Sequence, residues 1–231
     1  MKKHALIVGA GSGISAAFAR ALAADGYQVA LAARNTEKLE PLAKKIKAKT
    51  LLCDVTHPES VDEMFAEVDE TFDTLDVVLF NASGRERGPI AELDRDRVKT
   101  ALLVSSYGGF LVAQHAVRRM LDQGHGALFF TGASASVKGY AQSSSFAMGK
   151  FALRGLAQSL ARELQPKNIH VAHFVIDGGV ANEDRGLTNT DAEPDKWLEP
   201  DAIAQTYMAI LNQPRSAWTW EVELRPWVES F

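Results

Sequence analysis

Six nearly continuous apolar runs, at residues 5 to 8, 29 to 33, 50 to 53, 77 to 80, 127 to 131 and 171 to 176, alternate with longer stretches of helical period along this 231-residue chain. A sheet with one wetted face shows apolar and polar residues in turn, whereas unbroken apolar runs suit parallel strands covered on both faces. Strand and helix in alternation predict an α/β domain. A seventh run around Trp220 to Leu224 would complete the sheet. The length is enough for a large core and fits one domain spanning residues 1–231.

Ile14, Ala17, Phe18, Ala21 and Leu22 recur at helical spacing, as do Leu153, Leu156, Leu160 and Leu164, and both stripes read as core. The segment from about Asp94 to Gln123 also reads as helix, but Gly108-Gly109 in its middle should each cost about 1 kcal/mol relative to Ala. Either something approaches that backbone closely, another helix or another subunit, or the helix kinks there.

Between the first strand and the first helix stands Val8-Gly9-Ala10-Gly11-Ser12-Gly13-Ile14-Ser15. A glycine-rich turn at that junction brings backbone N–H groups up to a diphosphate, so Gly9, Gly11, Ser12, Gly13 and Ile14 are expected to bind a dinucleotide. The second strand ends Ala32-Ala33-Arg34-Asn35, with no acidic residue to grip an adenosine ribose. Arg34 instead offers a permanently charged fork to a 2'-phosphate, which favours NADP(H) over NAD(H). Asp54, closing the third strand, is placed to accept from the adenine amino group.

With Asn81-Ala82-Ser83-Gly84 after the fourth strand, and Ser134 and Lys150 further on, the pattern resembles the short-chain dehydrogenase/reductase superfamily over nearly the whole chain. The resemblance implies a single-domain, doubly wound Rossmann fold with a seven-stranded parallel sheet flanked by helices. Gly9 and Gly13 match the family's glycine motif, while Val8 replaces its Thr and Ser15 its last Gly; the Ser15 hydroxyl is a candidate donor to a phosphate oxygen. Asn81 and Ala82 join the expected cofactor contacts, as do Lys150 and Gly178.

The catalytic set is altered. Ser134, twelve residues before Phe146, is taken as the catalytic Ser, with Ser136 the lesser choice. Ser105 stands at the position of the helix Asn, Asp177-Gly178 where Pro-Gly follows the sixth strand, and Phe146 at the catalytic Tyr, four residues before the retained Lys150. In typical members the Tyr protonates a carbonyl oxygen as hydride arrives; Phe does no such work. Tyr140 and Tyr107 are candidate substitutes, each also readable as an ordinary packed or exposed Tyr. His170 and His173 fall on opposite faces of a strand, which is wrong for a shared metal, and no metal site is expected. His115 reads as a satisfied helix residue.

The function expected is an NADP(H)-dependent oxidoreductase with atypical proton handling, acting on a small carbonyl, alcohol or polarised double bond. The alternative is a catalytically relaxed nucleotide-binding sensor or structural subunit. A hydrophobic fraction of 46% with 23% charged residues argues against disorder and membrane residence, and a net charge of -4 against nucleic acid as partner. The apolar run after Met1-Lys2-Lys3-His4 is too short for a secretory signal, and Cys53, the only cysteine, reads as a buried strand residue, so a cytoplasmic location is expected. Residues 178 to 200, polar and turn-rich, correspond by resemblance to the substrate lid. Trp218, Trp220 and Trp227 near the C-terminus suggest burial against the core or a neighbouring subunit. The resemblance also implies a homodimer or homotetramer formed through the two long central helices.

Overall fold

The structure, a computed structural model, describes residues 2–229; the expected domain ends at Met1 and Phe231 lie outside the described residues. In chain order the principal elements are β1 (Lys3–Val8), α1 (Ile14–Ala24), β2 (Tyr27–Ala33), α2 (Glu40–Ile46), β3 (Lys49–Leu52), α3 (Pro58–Thr71), β4 (Val77–Phe80), α4 (Arg95–Leu102), α5 (Gly108–Gln123), β5 (Gly126–Thr131), α6 (Ser144–Leu164), β6 (Ile169–Ile176), α7 (Pro200–Leu211) and β7 (Glu221–Leu224). The seven strands form one parallel sheet in the order β3-β2-β1-β4-β5-β6-β7.

The apolar runs are continuous because both faces of each strand are covered. In β1, Leu6 and Val8 enter one core with Met64, Phe65, Val112 and Leu153 of α3, α5 and α6; Ala5 and Ile7 enter the other with Phe18, Ile203 and Tyr207 of α1 and α7. Strand order reverses between β1 and β4, so the loops leaving these two strands diverge and open a crevice at their carboxyl ends.

The long helix begins where expected, Asp94 capping it by accepting from the Arg97 N–H at 2.9 Å. It runs through α4, widens into a π-helical turn at Leu103–Tyr107, and continues as α5. The glycine pair answers a packing demand inside the chain and not a subunit contact. A Cβ on Gly108 would lie 2.8 Å from Val55 Cβ, and one on Gly109 2.7 Å from Leu153 Cδ1. Trp218 stacks on His170 at 4.6 Å and Trp220 packs on the core, whereas Trp227 is 77% exposed and does not pack on this chain's own core. Among the described residues, no helix is long and apolar enough to cross a membrane.

Candidate active site

A cleft of about 1780 Å³ lies at the carboxyl ends of the strands, from Arg34 and Asp54 at one end, past the glycine turn, to Phe146, Lys150, Gly178 and Trp197 at the other. Gly9 turns the chain out of β1 with φ +80°, and a Cβ there would collide with the Ala82 backbone N. Only glycine meets both demands. Gly11 and Gly13 have open space where a side chain would stand, and α1 starts at Gly13 without a side-chain cap. Its first N–H groups therefore face the cleft with the positive end of the helix dipole, a fit for a diphosphate.

Ser15 is turned the other way. Its hydroxyl donates to the Gly9 carbonyl at 3.3 Å and accepts from Asn81 Nδ2 at 2.8 Å, so it braces the turn and does not face a phosphate. Asn81 also reaches the Gly9 carbonyl at 3.4 Å, joining the loop after β4 to the glycine turn.

At the far end Arg34 and Lys38 are exposed cations lining the cleft beside Asp54. Burial pushes the Asp54 carboxyl up, but the Thr56 N–H at 3.0 Å and hydroxyl at 2.8 Å, with Arg34 and His57 nearby, outweigh it and leave it below the ordinary carboxylate range. Cys53 is buried, and its thiol is pushed up to about 11 by that burial, with Asp54 adding to it.

Lys150, one helical turn after Phe146, is only 2% exposed and donates from Nζ to the Thr131 carbonyl at 2.7 Å. Burial, and then the charge of Arg85, lower its pKa to about 7. Phe146 is buried to 8% exposure, with the Arg85 guanidinium carbon 3.8 Å over its ring centroid. Ser134 lines the same part of the cleft; Ser136 is fully buried, its Oγ accepting from the Ala133 N–H at 3.1 Å. Behind this wall His173 pairs through Nδ1 with Glu221 at 3.0 Å, and Arg154 grips the same carboxylate at 2.6 and 2.7 Å. Burial prevails over Glu221 and pushes His173 down to about 4, while a side chain at Gly132 would strike the imidazole.

The short chain dehydrogenase family matches residues 3–185. The chain belongs to that family. An uncharacterised oxidoreductase of Staphylococcus aureus (strain USA300) is 32% identical over 228 residues, covering 97% of each chain. A short-chain dehydrogenase from Rhodopseudomonas palustris superposes with a TM-score of 0.84 at 35% identity, over 97% of this chain and 99% of that one. An alcohol dehydrogenase from the archaeon Thermococcus sibiricus, complexed with 5-hydroxy-NADP, does so at 0.84 or better, with a TM-score of 0.88 at 27% identity over 100% and 99%.

In this short-chain dehydrogenase, an oxidoreductase by family, Gly9, Gly11, Ser12, Gly13, Ile14, Arg34, Asp54, Asn81, Ala82, Ser134, Phe146, Lys150 and Gly178 all line one cleft. Ser105 does not. It is fully buried on the π-helical turn, its Oγ accepting from the Gly84 N–H at 2.8 Å and donating to the Gly84 carbonyl at 3.2 Å, so it holds a loop and touches no ligand space. Of the two candidate phenols, Tyr140 lines the cleft, whereas Tyr107 stacks on Phe110 outside it. His115 is satisfied by Asp62 at 2.7 Å and by stacking on Phe65. Asp177 is buried between Lys138 at 3.3 Å and Arg225 at 2.8 Å.

Residues 178–200 reach the rest of the chain through Val180 and Leu198, which pack on the core, through Asn182 Nδ2 to Ser12 Oγ at 3.3 Å, and through Asp195, which accepts from Trp227 Nε1 at 3.2 Å. The lining residues that the sequence did not point to include Lys38, Arg85, Arg87 and Trp197. Lys38 had a legible signal, four residues past Arg34 at the same strand end. Arg85 and Trp197 had none, because each enters through a loop whose path is set by distant contacts.

Proposed function

We propose that this short-chain dehydrogenase is an NADP(H)-preferring oxidoreductase that moves hydride to or from a small carbonyl, alcohol or polarised double bond, without a tyrosine acid. The observation that carries this reading is the continuity of one cleft from the uncapped start of α1 to the buried amine of Lys150. Bound there, a nicotinamide supplies the hydride donor or acceptor.

The chain's own residues do the rest. The backbone of Gly11 to Ile14 meets the diphosphate, Arg34 and Lys38 hold a 2'-phosphate, and Asp54 accepts from the adenine amino group. Lys150 donates to ribose hydroxyls from Nζ, and Ser134 Oγ–H donates to the substrate oxygen. Phe146 supplies an apolar wall and no proton. The substrate oxygen therefore takes its proton from water admitted past the exposed lid. Positioned general acid catalysis is worth about 10²- to 10⁴-fold, so turnover should be slow by that factor relative to an enzyme that has the phenol.

Phe146 itself also favours a second reading, a non-redox nucleotide-binding sensor or structural subunit. A homo-oligomeric state and a cytoplasmic location are part of the proposal too, the first supported by exposed Phe110, Met148 and Phe151 on α5 and α6. The test is titration with NADPH and NADH, followed by NADPH oxidation across a panel of aldehydes, ketones and enones. Tighter NADPH binding with turnover of any panel member supports the oxidoreductase. Tight binding with no turnover throughout favours the sensor, and equal or absent binding of the two nucleotides refutes the cofactor assignment.

A further inference from the structure

The loop that follows β4 is pinned on both sides of one residue. Before Arg85, the Gly84 N–H and carbonyl are both taken by Ser105 Oγ, at 2.8 and 3.2 Å. After it, the Glu86 N–H and carbonyl are both taken by Ser145 Oγ, at 3.0 and 2.8 Å. Both serines are buried, on the π-helical turn and on α6. A third bond, from the Gly88 N–H to the Gln142 carbonyl at 3.1 Å, closes the loop. The Cα of Arg85 is thus fixed, and its guanidinium carbon lies 3.8 Å over the Phe146 ring.

A guanidinium laid on an aromatic ring keeps its five N–H donors in its own plane, directed away from the ring's face. Among the described residues, none of those donors meets a carboxylate or a carbonyl of the chain. The adjacent acid, Glu86, faces Arg97 at 3.6 Å. Arg85 and Phe146 both line the cleft, and Lys150 stands with its Nζ 6.0 Å from the same ring centroid. Arg85 and the Lys150 amine thus converge on this end of the cleft, which Arg87 also lines. The arrangement also gives the Phe a positive role, since an unsubstituted ring is a platform for a cation.

Resting on the reading of this cleft as a dinucleotide-dependent site, we propose that Arg85 is the substrate anchor and that the substrate is a carboxylate anion. A planar fork matches a carboxylate with two parallel hydrogen bonds. A phosphate group would recruit backbone N–H groups as well, and here those of Gly84, Glu86 and Gly88 are committed to Ser105, Ser145 and Gln142. The reacting carbonyl or hydroxyl carbon would lie beside the carboxylate, as in an oxo acid or hydroxy acid, so that one end is held by Arg85 while the other faces Ser134.

The test is calorimetric titration of the NADP⁺-loaded protein with benzoylformate, its neutral methyl ester, and phenyl phosphate, in the wild type, Arg85→Gln and Arg85→Lys. Benzoylformate is expected to bind at least about tenfold tighter than the ester in the wild type, a preference that Arg85→Gln removes and Arg85→Lys partly restores, with ester affinity unchanged. Equal affinity for acid and ester, no binding of either, a preference that survives in Arg85→Gln, or tighter binding of phenyl phosphate would each overturn the assignment. A loss of about tenfold or more in NADPH affinity on Arg85→Gln would place the arginine in the cofactor site and overturn it too. If the wild type binds no NADP(H), the cofactor reading fails; the same acid-against-ester comparison without nucleotide then decides for or against Arg85.

Discussion

Replacing Lys150 with Met should make the cofactor-free protein more stable near neutral pH and weaken dinucleotide binding. The side chain is 2% exposed, and of its three ammonium donors only one meets an acceptor among the described residues, the Thr131 carbonyl. Burial, followed by Arg85, lowers its pKa from 10.5 to about 7. Unfolded, it returns to the ordinary value. Between these limits the unfolded chain holds more protons than the folded one, so stability rises with pH across the window, and below about 7 the full penalty remains. One pKa unit is 1.36 kcal/mol, so the wild type should gain about 2–3 kcal/mol between pH 7 and 9 relative to Lys150→Met, or roughly 5–10 °C in Tm.

Scanning calorimetry of both proteins from pH 6.5 to 9 checks this through the difference between the two curves, which cancels groups titrating elsewhere. The neighbours do not intrude: His173 is pushed down to about 4 and Cys53 up to about 11, both outside the range. Parallel curves, or a Met variant less stable at pH 7, would refute the reasoning. With NADPH present the order should invert, because the wild type regains acceptors in the ribose hydroxyls and the variant does not. The residue is retained against its cost to the empty fold.

Phe146→Tyr should create or raise carbonyl reductase activity, by up to about 10²-fold in NADPH oxidation with a small aldehyde or ketone. No gain in a folded, NADPH-binding variant would show that Ser105 or the Asp177 region has changed the site as well. Arg34→Ala should weaken NADPH binding by tenfold or more, at about 1.4 kcal/mol per tenfold, and leave NADH nearly untouched; equal losses in fluorescence titrations would reject Arg34 as the 2'-phosphate ligand. Gly9→Ala combines a positive φ of +80° with a collision against the Ala82 backbone, and should cost at least about 2 kcal/mol in urea unfolding. An unchanged midpoint would mean that the turn is not fixed by Gly9.

The sheet was legible because its signal is local: a strand covered on both faces must be apolar throughout, and all seven runs became strands. The residues expected to hold a dinucleotide fall in one cleft for the same reason, because they stand at or just after strand ends. What escaped depends on segments far apart in sequence. Ser15 has the right chemistry for a phosphate, but only the position of Asn81 shows that its hydroxyl points inward. Gly108 announces a close approach without naming Val55 as the partner. Arg85 is one more charged loop residue until Ser105 and Ser145 fix its backbone beside Phe146.

Ser105, Phe146 and Asp177 share a physical consequence. Ser105 clamps Gly84; Phe146 carries the guanidinium of Arg85; Asp177 ties Lys138, before α6, to Arg225, after β7. Each joins segments around the Phe146 end of the cleft. Replacing Asp177 takes a shared carboxylate from Lys138 and Arg225, and breaking a buried ion pair costs about 3–5 kcal/mol, which makes Asp177 the hardest of the three to replace alone. Phe146 is the easiest, because a phenol there would stand near Arg85, whose charge favours its ionised form. If Phe146→Tyr gains activity while Arg85 stays in place, a phenolic acid and the arginine clamp are compatible in one site.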